Sequence, residues 1–228
     1  MYRFYFFFAL TFSISILTSC TIENSSDVNQ DRIYQRLIMV YNDEDNTSSI
    51  TVRFTIGNDW GNPIQLTGNS DIKFNNMGLD WSGTIGSYGK VFNEKILNGN
   101  FVYTNANNTI YTNTGTVRNI GINNFPTSLN KSQDYEFKWT GEKIISGEII
   151  SLYFKYIDST NNSVEITQDI VNSDKITIPK TELQKLKTGQ IQCYIQRQQI
   201  FQQLQQAPPV GGYMALSFYT KKVNVTIQ

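Results

Sequence analysis

Ile50-Thr51-Val52-Arg53-Phe54-Thr55-Ile56 alternates apolar and polar side chains without a break. Successive side chains of a strand point to opposite faces, so this pattern puts four apolar residues on one face of a half-buried strand. Residues 37–41 before it read as a second strand. Asn42-Asp43-Glu44-Asp45-Asn46 between them reads as a polar hairpin loop. Beyond the stretch, Gly57-Asn58-Asp59-Trp60-Gly61-Asn62-Pro63 is a turn cluster. Short strands are predicted around Ile64 and Leu66, around Ile72 and Phe74, and over residues 90–95, 100–104, 109–112 and 116–120. A Gly-rich stretch holding Trp81 and Tyr88 precedes 90–95.

The same period recurs after Asn123-Asn124-Phe125-Pro126, which reads as a linker. Tyr135, Phe137 and Trp139 alternate with charged residues. Ile150, Leu152, Phe154 and Tyr156 mark a longer strand, residues 158–162 a hairpin turn, and Val164 and Ile166 the returning strand. Ile176 and Ile178 alternate up to Pro179. Residues 180–187 are the one short helix expected, with Leu183 and Leu186 on one face and Gly189 ending it. Ile191, Cys193 and Ile195 alternate next. Residues 198–212 read as a long Gln-rich loop carrying Ile200, Phe201 and Leu204, followed by strands over 213–220 and 222–227. Short strands separated by Asn/Gly turns predict an all-β chain of sandwich type.

The spacing around residues 183–193 resembles the approach to strand F of immunoglobulin-like domains. Leu183 precedes a turn, Gly189 follows it, and Cys193 stands at the alternating cysteine position, with Ile191 in place of the family's tyrosine. This resemblance covers roughly the last hundred residues and implies an immunoglobulin-like domain over 123–228; with the β-sandwich domain read over 33–122, the fold expected is two tandem immunoglobulin-like β-sandwich domains. The whole chain resembles uncharacterised bacterial lipoproteins of that tandem type, a resemblance that implies an architecture and no activity.

The N-terminus indicates where such a chain resides. Arg3 is followed by an uncharged, largely apolar run from Phe4 to Leu17. This is shorter than the ~20 apolar residues of a comfortable span and is placed as a secretory signal is. Leu17-Thr18-Ser19-Cys20 then resembles the lipobox of bacterial lipoproteins. That resemblance implies removal of residues 1–19, diacylglyceryl transfer to the Cys20 thiol, and an extracytoplasmic protein anchored in the cell membrane or outer membrane by acyl (palmitate) chains. An ordinary cleaved signal and an uncleaved N-terminal helix are the competing readings. Residues 20–32 are polar and read as the lipidated cysteine and a flexible tether.

Composition narrows the function. Removing residues 1–19 leaves 18 basic and 19 acidic residues, a net charge of −1 that suggests no nucleic-acid partner. The chain has no histidine, which argues against Ser-His and Cys-His catalysis and the usual zinc ligand sets. With Cys20 consumed by lipid, Cys193 has no partner for an intrachain disulfide. No metal and no cofactor is expected. The chain therefore reads as a non-catalytic binding or structural module of the cell envelope, its partners the bilayer through acylated Cys20 and an envelope protein or glycan.

Asp59-Trp60 and Asp80-Trp81 place a carboxylate beside an aromatic ring, which suits sugar recognition, with Tyr88 nearby. Trp60, Trp81 and Tyr88 are thus candidate ligand-binding residues for a carbohydrate-binding accessory lipoprotein. Phe201, in the Gln-rich loop, is the candidate for a partner contact. A second alternative is a carboxylate-based hydrolase drawing on Asp59, Asp71, Asp80, Glu94, Glu136 or Glu142, although no spacing singles out a pair. Asp43-Glu44-Asp45 is a weak metal candidate that a solvated hairpin tip explains equally well.

Overall fold

The computed structural model describes residues 21–156 and 163–228. The expectations for Leu17, Thr18, Ser19 and Cys20, and for the hairpin turn at 158–162, lie outside the described residues.

The chain is all-β. Strand β1 (Ile33–Asn42) and β2 (Thr47–Ile56) form the hairpin that the alternation predicted. Ile33 pairs with Ile56 and Asn42 with Thr47. That register sets Leu37, Met39 and Tyr41 on the buried face with Ile50, Val52 and Phe54. The tip is held by its own side chains. The Tyr41 hydroxyl bonds to Asp43 and Asn46, each at 3.0 Å, and Asn46 takes a positive φ of 50°. Asn and Asp serve here because they tolerate the left-handed region and bond back to the backbone.

The main further strands of the first half are β3 (Asp71–Phe74), β4 (Asp80–Ser82), β5 (Ser87–Phe92), β6 (Asn98–Thr104) and β7 (Ile110–Thr116), with two-residue strands at Glu23–Asn24, Ile64–Gln65, Met77–Gly78 and Ile120–Gly121. β5 begins three residues earlier than the strand expected at 90–95, because Tyr88 turns inward opposite Val52. After residue 156 the strands are β10 (Ser163–Gln168), β11 (Lys175–Ile178), β12 (Gly189–Phe201), β13 (Gly212–Tyr219) and β14 (Val223–Ile227). Before it are β8 (Tyr135–Lys138) and β9 (Glu148–Tyr156). The expected helix is one turn, Lys180–Leu183, with Leu183 buried.

Two layers face each other in the first sandwich. One carries β13, β1, β2, β5 and β4 in that order, the other β7, β6 and β3. Phe54 on β2 meets Tyr103 on β6 at 4.5 Å between ring centroids, and Phe74 meets Phe101 at 5.0 Å. In the second sandwich, β14, β12, β9 and β10 lie over the β8–β11 pair. Its core holds Leu152, Phe154, Ile176, Ile178, Ile191, Cys193 and Ile195. Phe125 from the linker packs on Phe137 at 4.8 Å. Trp139 is 2% exposed and donates its indole N–H to the Glu142 carbonyl.

One large sheet runs through both. β12 is 13 residues long, and β9 pairs along one edge of it. Its other edge is shared: Gly189–Cys193 pairs with β14 and Gln196–Phe201 with β13. β13 then pairs in parallel with β1 from Gly212↔Gln35 to Tyr219↔Asn42. A strand from beyond the 123–126 linker thus closes the sheet of the first sandwich.

The polar segment expected to be a flexible tether is docked from Glu23 on. The Glu23 N–H donates to Pro63 O at 2.9 Å, and residues 23–24 pair with Ile64–Gln65. Ser25 is fully buried against Thr67 and Ser70, and Gln30 bonds to Ser25, Val28 and Ala106. Polarity predicted solvation, but these polar groups find protein partners instead.

Candidate functional site

The residues singled out from sequence scatter. Trp60 is 92% exposed in the loop after β2, where Asn58 Oδ1 accepts its backbone N–H at 2.9 Å. Asp59 beside it faces Arg36 at 3.5 Å. Trp81 is half-buried on β4 and packs on Tyr88, its cross-strand neighbour, at 4.9 Å. Tyr88 is buried, and its hydroxyl accepts the Leu66 N–H at 2.6 Å. Burial pushes the Tyr88 hydroxyl above its usual range. Trp81 and Tyr88 therefore pack against the first core, and among the described residues no ring contact joins Trp60 to either of them.

Phe201 does line a site. It ends β12 and is half-buried; the expected loop starts only after it. An open groove of about 610 Å³ runs where Gln199 and Phe201 meet the start of β6 and the end of β7. Asn75, Asn98, Asn100, Thr114 and Thr116 supply most of its polar wall, and Gln205 and Arg118 close it. Its geometry is set by short side chains. Asn75, with a φ of 48°, donates to Asn98 O at 3.1 Å and accepts from Asn100 N at 2.9 Å. Gly99 and Gly115 pair across the strands. A Cβ at 99 would lie 2.6 Å from the Phe74 ring, and one at 115 would lie 2.7 Å from Leu216 Cδ1, so the sheet presses closely onto the core at both glycines, against a ring at 99 and against flexible side-chain ends at 115. The Asn100 side-chain oxygen is buried and has no hydrogen-bond partner among the described residues.

The Gln-rich loop shapes one side. Thr114 N donates to Gln205 Oε1 at 2.8 Å, and Gln205 Nε2 donates to Thr114 O at 3.1 Å. Gln206 does the same one step along, accepting from Thr112 N and exchanging bonds with Asn113. Glutamine amides thus stand in for a neighbouring strand on the edge of β7. Leu204 packs against the core.

Behind the groove lies a cluster of charges of which the sequence singled out Glu142 alone. Arg118 bonds to exposed Glu142 and lies 2.6 Å from Glu148, whose side chain is fully buried. Arg197, 2% exposed, donates to Asn119 O at 2.9 Å and to Glu142 O, with its Nε 3.8 Å from Glu148. Hydrogen bonding and charge from Arg118 hold the Glu142 carboxyl below its usual range. A glycosidase acid requires the opposite shift. Asp59, Asp71, Asp80 and Glu136 each face a cation as well, Arg36, Lys73, Lys90 and Lys175 respectively. Burial drives the Cys193 thiol well above its ordinary range, away from nucleophile chemistry. The Asp43–Asp45 tip is engaged by Tyr41, Asn42 and the Lys222 N–H.

With Arg118 matched by two carboxylates, the groove offers amides, hydroxyls and one phenyl ring. That wall can hydrogen-bond an uncharged polar chain in both directions, as donor and acceptor, while Phe201 packs on an apolar face.

No protein-family profile and no curated protein matches the chain. Among solved structures it is similar to a 1.5-MDa bacterial ice-binding adhesin, at 12% identity and a TM-score of 0.25 over 88% of this chain and 66% of that one. The FN1–FN3 domains of chicken CNTN1 give 9% and 0.25 over 85% and 65%. A tetra-tandem repeat from the extending region of a large adhesion protein gives 10% and 0.24 over 85% and 49%. The chain thus spans less than two thirds of each. Overlap this low carries no argument, and the fold stands on the strand pairing above.

Proposed function

We propose that the chain is a lipid-anchored lipoprotein of the cell envelope, attached through Cys20, whose β-sandwich body binds an uncharged glycan chain without catalysis. The groove carries this reading: a wall of amides and hydroxyls around Phe201, its one cation matched by acids. Sugars present hydroxyls at their edges and C–H faces to aromatic rings, which this wall matches. The site differs from the Trp60–Trp81–Tyr88 platform expected from sequence; only Phe201 carries over. The Leu17-Thr18-Ser19-Cys20 motif supports the anchor.

The two halves are tested separately. Wild type should take up labelled palmitate and Cys20→Ala should not; a wild type that never labels refutes the anchor. Calorimetric titration with neutral oligosaccharides should show binding that Phe201→Ala weakens roughly tenfold, the loss of one ring contact worth about 1–1.5 kcal/mol. Equal affinity in Phe201→Ala, or no binding by wild type, refutes the groove as the glycan site.

A further inference from the structure

Three exposed apolar side chains gather at one end of the first sandwich: Ile22 at 41%, Trp60 at 92% and Ile85 at 64% exposure. They belong to three segments that touch. Glu23, next to Ile22, donates its N–H to Pro63 O and accepts from Asn62 Nδ2 at 3.4 Å. Pro63 closes the loop that carries Trp60, and a Cβ at Gly86, next to Ile85, would lie 2.8 Å from the Pro63 ring. Arginines flank the loop. Arg36 and Arg53 stand directly opposite on β1 and β2, and Arg32 lies against Gly57. Asp59 faces Arg36, whereas Arg53 makes no ion pair among the described residues.

This is the end at which the chain enters the fold. Glu23 is already in a strand, so only residues 21 and 22 separate it from Cys20. Three residues reach at most about 10 Å. Apolar tips with a tryptophan among arginines are the chemistry of a membrane–water interface, where such side chains sink ~5–10 Å into the headgroup boundary.

We propose that this end is a membrane-docking face: Ile22, Trp60 and Ile85 sit in the headgroup layer of the bilayer that holds Cys20, and Arg53 meets lipid phosphate. The proposal rests on the anchor reading. It is independent of the groove. Other exposed apolar residues are spread elsewhere, Met77, Val91 and Ile110 on strands of the first sandwich and Ile145, Ile149, Ile170 and Val171 beyond the linker.

The test uses the full-length lipoprotein purified from membranes and reconstituted in phosphatidylethanolamine–phosphatidylglycerol vesicles with brominated acyl chains. Bromine quenches tryptophan at short range. Trp139 is buried and Trp81 half-buried, so the quenchable emission should come from Trp60 and vanish in Trp60→Phe. Ile22→Ser/Ile85→Ser should reduce it with the thermal melt unchanged. Mass spectrometry of the N-terminal peptide reports acylation of Cys20 in the same sample. Acylated protein whose Trp60 stays unquenched and open to aqueous acrylamide overturns docking and leaves the anchor standing. A peptide without acyl chains refutes the anchor; docking then survives only if added vesicles still quench Trp60, and fails otherwise. Protection of Trp60 by a soluble oligosaccharide but not by vesicles overturns docking in favour of a sugar contact.

Discussion

Replacing Arg197 by methionine should cost the protein about 3 kcal/mol. The side chain is 2% exposed and crosses from β12 to two backbone carbonyls, Asn119 O and Glu142 O. Methionine keeps most of the length and volume, so cavity formation contributes little. Hydrogen bonds from a charged donor contribute about 1.5–3 kcal/mol each, and the carbonyls left behind lose their partner. Removing the guanidinium also recovers its desolvation cost, several kcal/mol, which offsets part of the loss. Breaking a buried ion pair typically costs about 3–5 kcal/mol. Here Glu148 keeps Arg118 at 2.6 Å and the Ile145 N–H at 3.0 Å, which places the expected value at the low end. Glu148→Gln should cost a similar amount by leaving two guanidiniums without the carboxylate between them. The double variant should lose at least ~1 kcal/mol less than the sum of the singles, since the groups share one network. Urea unfolding followed by tryptophan fluorescence, with linear extrapolation, measures all four. Single losses below about 1 kcal/mol, or additivity within about 0.5 kcal/mol, would refute the reading that this cluster ties the backbone at Asn119 and Glu142 to β12 as one network.

Other perturbations follow from the same contacts. Burial, with the hydrogen bond to Asp43 added, pushes the Tyr41 hydroxyl up to about 12. Its folded value exceeds its unfolded one, so its contribution is whole below pH ~10 and is lost as pH rises through about 12, roughly 2–3 kcal/mol in all. Other buried tyrosines, Tyr88 and Tyr103 among them, are raised too, so Tyr41→Phe should make the alkaline fall of stability in urea melts shallower by one group's share, and an unchanged slope would refute the assignment. Gln205→Ala should speed amide exchange at Thr114 and cost about 1 kcal/mol, because it bares the edge of β7; unchanged exchange would mean the loop does not cap the strand. Gly99→Ala should destabilise by about 1–3 kcal/mol, since its Cβ meets the Phe74 ring, whereas Gly115→Ala meets flexible Leu216 and Met214 ends and should cost less. Thermal melts rank the pair, and the reverse order would contradict the packing.

Much of the architecture could be read from period alone. The 50–56 alternation gives β2 and, through its register, the whole face of β1. Parity also held a signal that went unused: Ile191, Cys193 and Ile195 face inward, so Arg197 two residues on must face inward too. A charge at an inward position needs a buried partner, and Glu148 was that partner. Other features had no local signal. Asp59-Trp60 and Asp80-Trp81 are alike as dipeptides, yet one sits on an Asx-type turn in solvent and the other on a strand against Tyr88. Ser25 and Gln30 look solvated until the residues that bond them, Thr67, Ser70 and Ala106, are known to be close. The groove is likewise non-local, since Asn75, Asn98, Thr114 and Phe201 meet only once β7 and β12 are placed.

The parallel pairing of β13 with β1 bears on what the groove can reach. Phe201 pairs with Met214, Met214 with Leu37, and Leu37 with Val52, so one row of the sheet runs from the groove to the strand that carries Arg53. Neighbouring strands lie about 4.8 Å apart, so three steps span about 14 Å. A flexible tether would let the body sample a wide shell above the bilayer. With residues 23–32 docked, the segment that follows Cys20 is instead fixed to the first sandwich, through a separate two-stranded pairing of residues 23–24 with Ile64–Gln65 and the Gln30 bonds. On the anchor reading, a ligand in the groove is held within a few nanometres of the membrane and in one orientation. Chains longer than the groove would have to run along the bilayer surface or away from it, as the direction of β12 dictates. Inserting a flexible Gly-Ser segment between residues 20 and 23 would release that constraint while leaving the groove intact. Binding to a soluble oligosaccharide should then be unchanged, whereas binding to a polymer fixed at the envelope should shift. Equal changes in both would mean that the short connection at Glu23 supports the fold and does not set where the groove works.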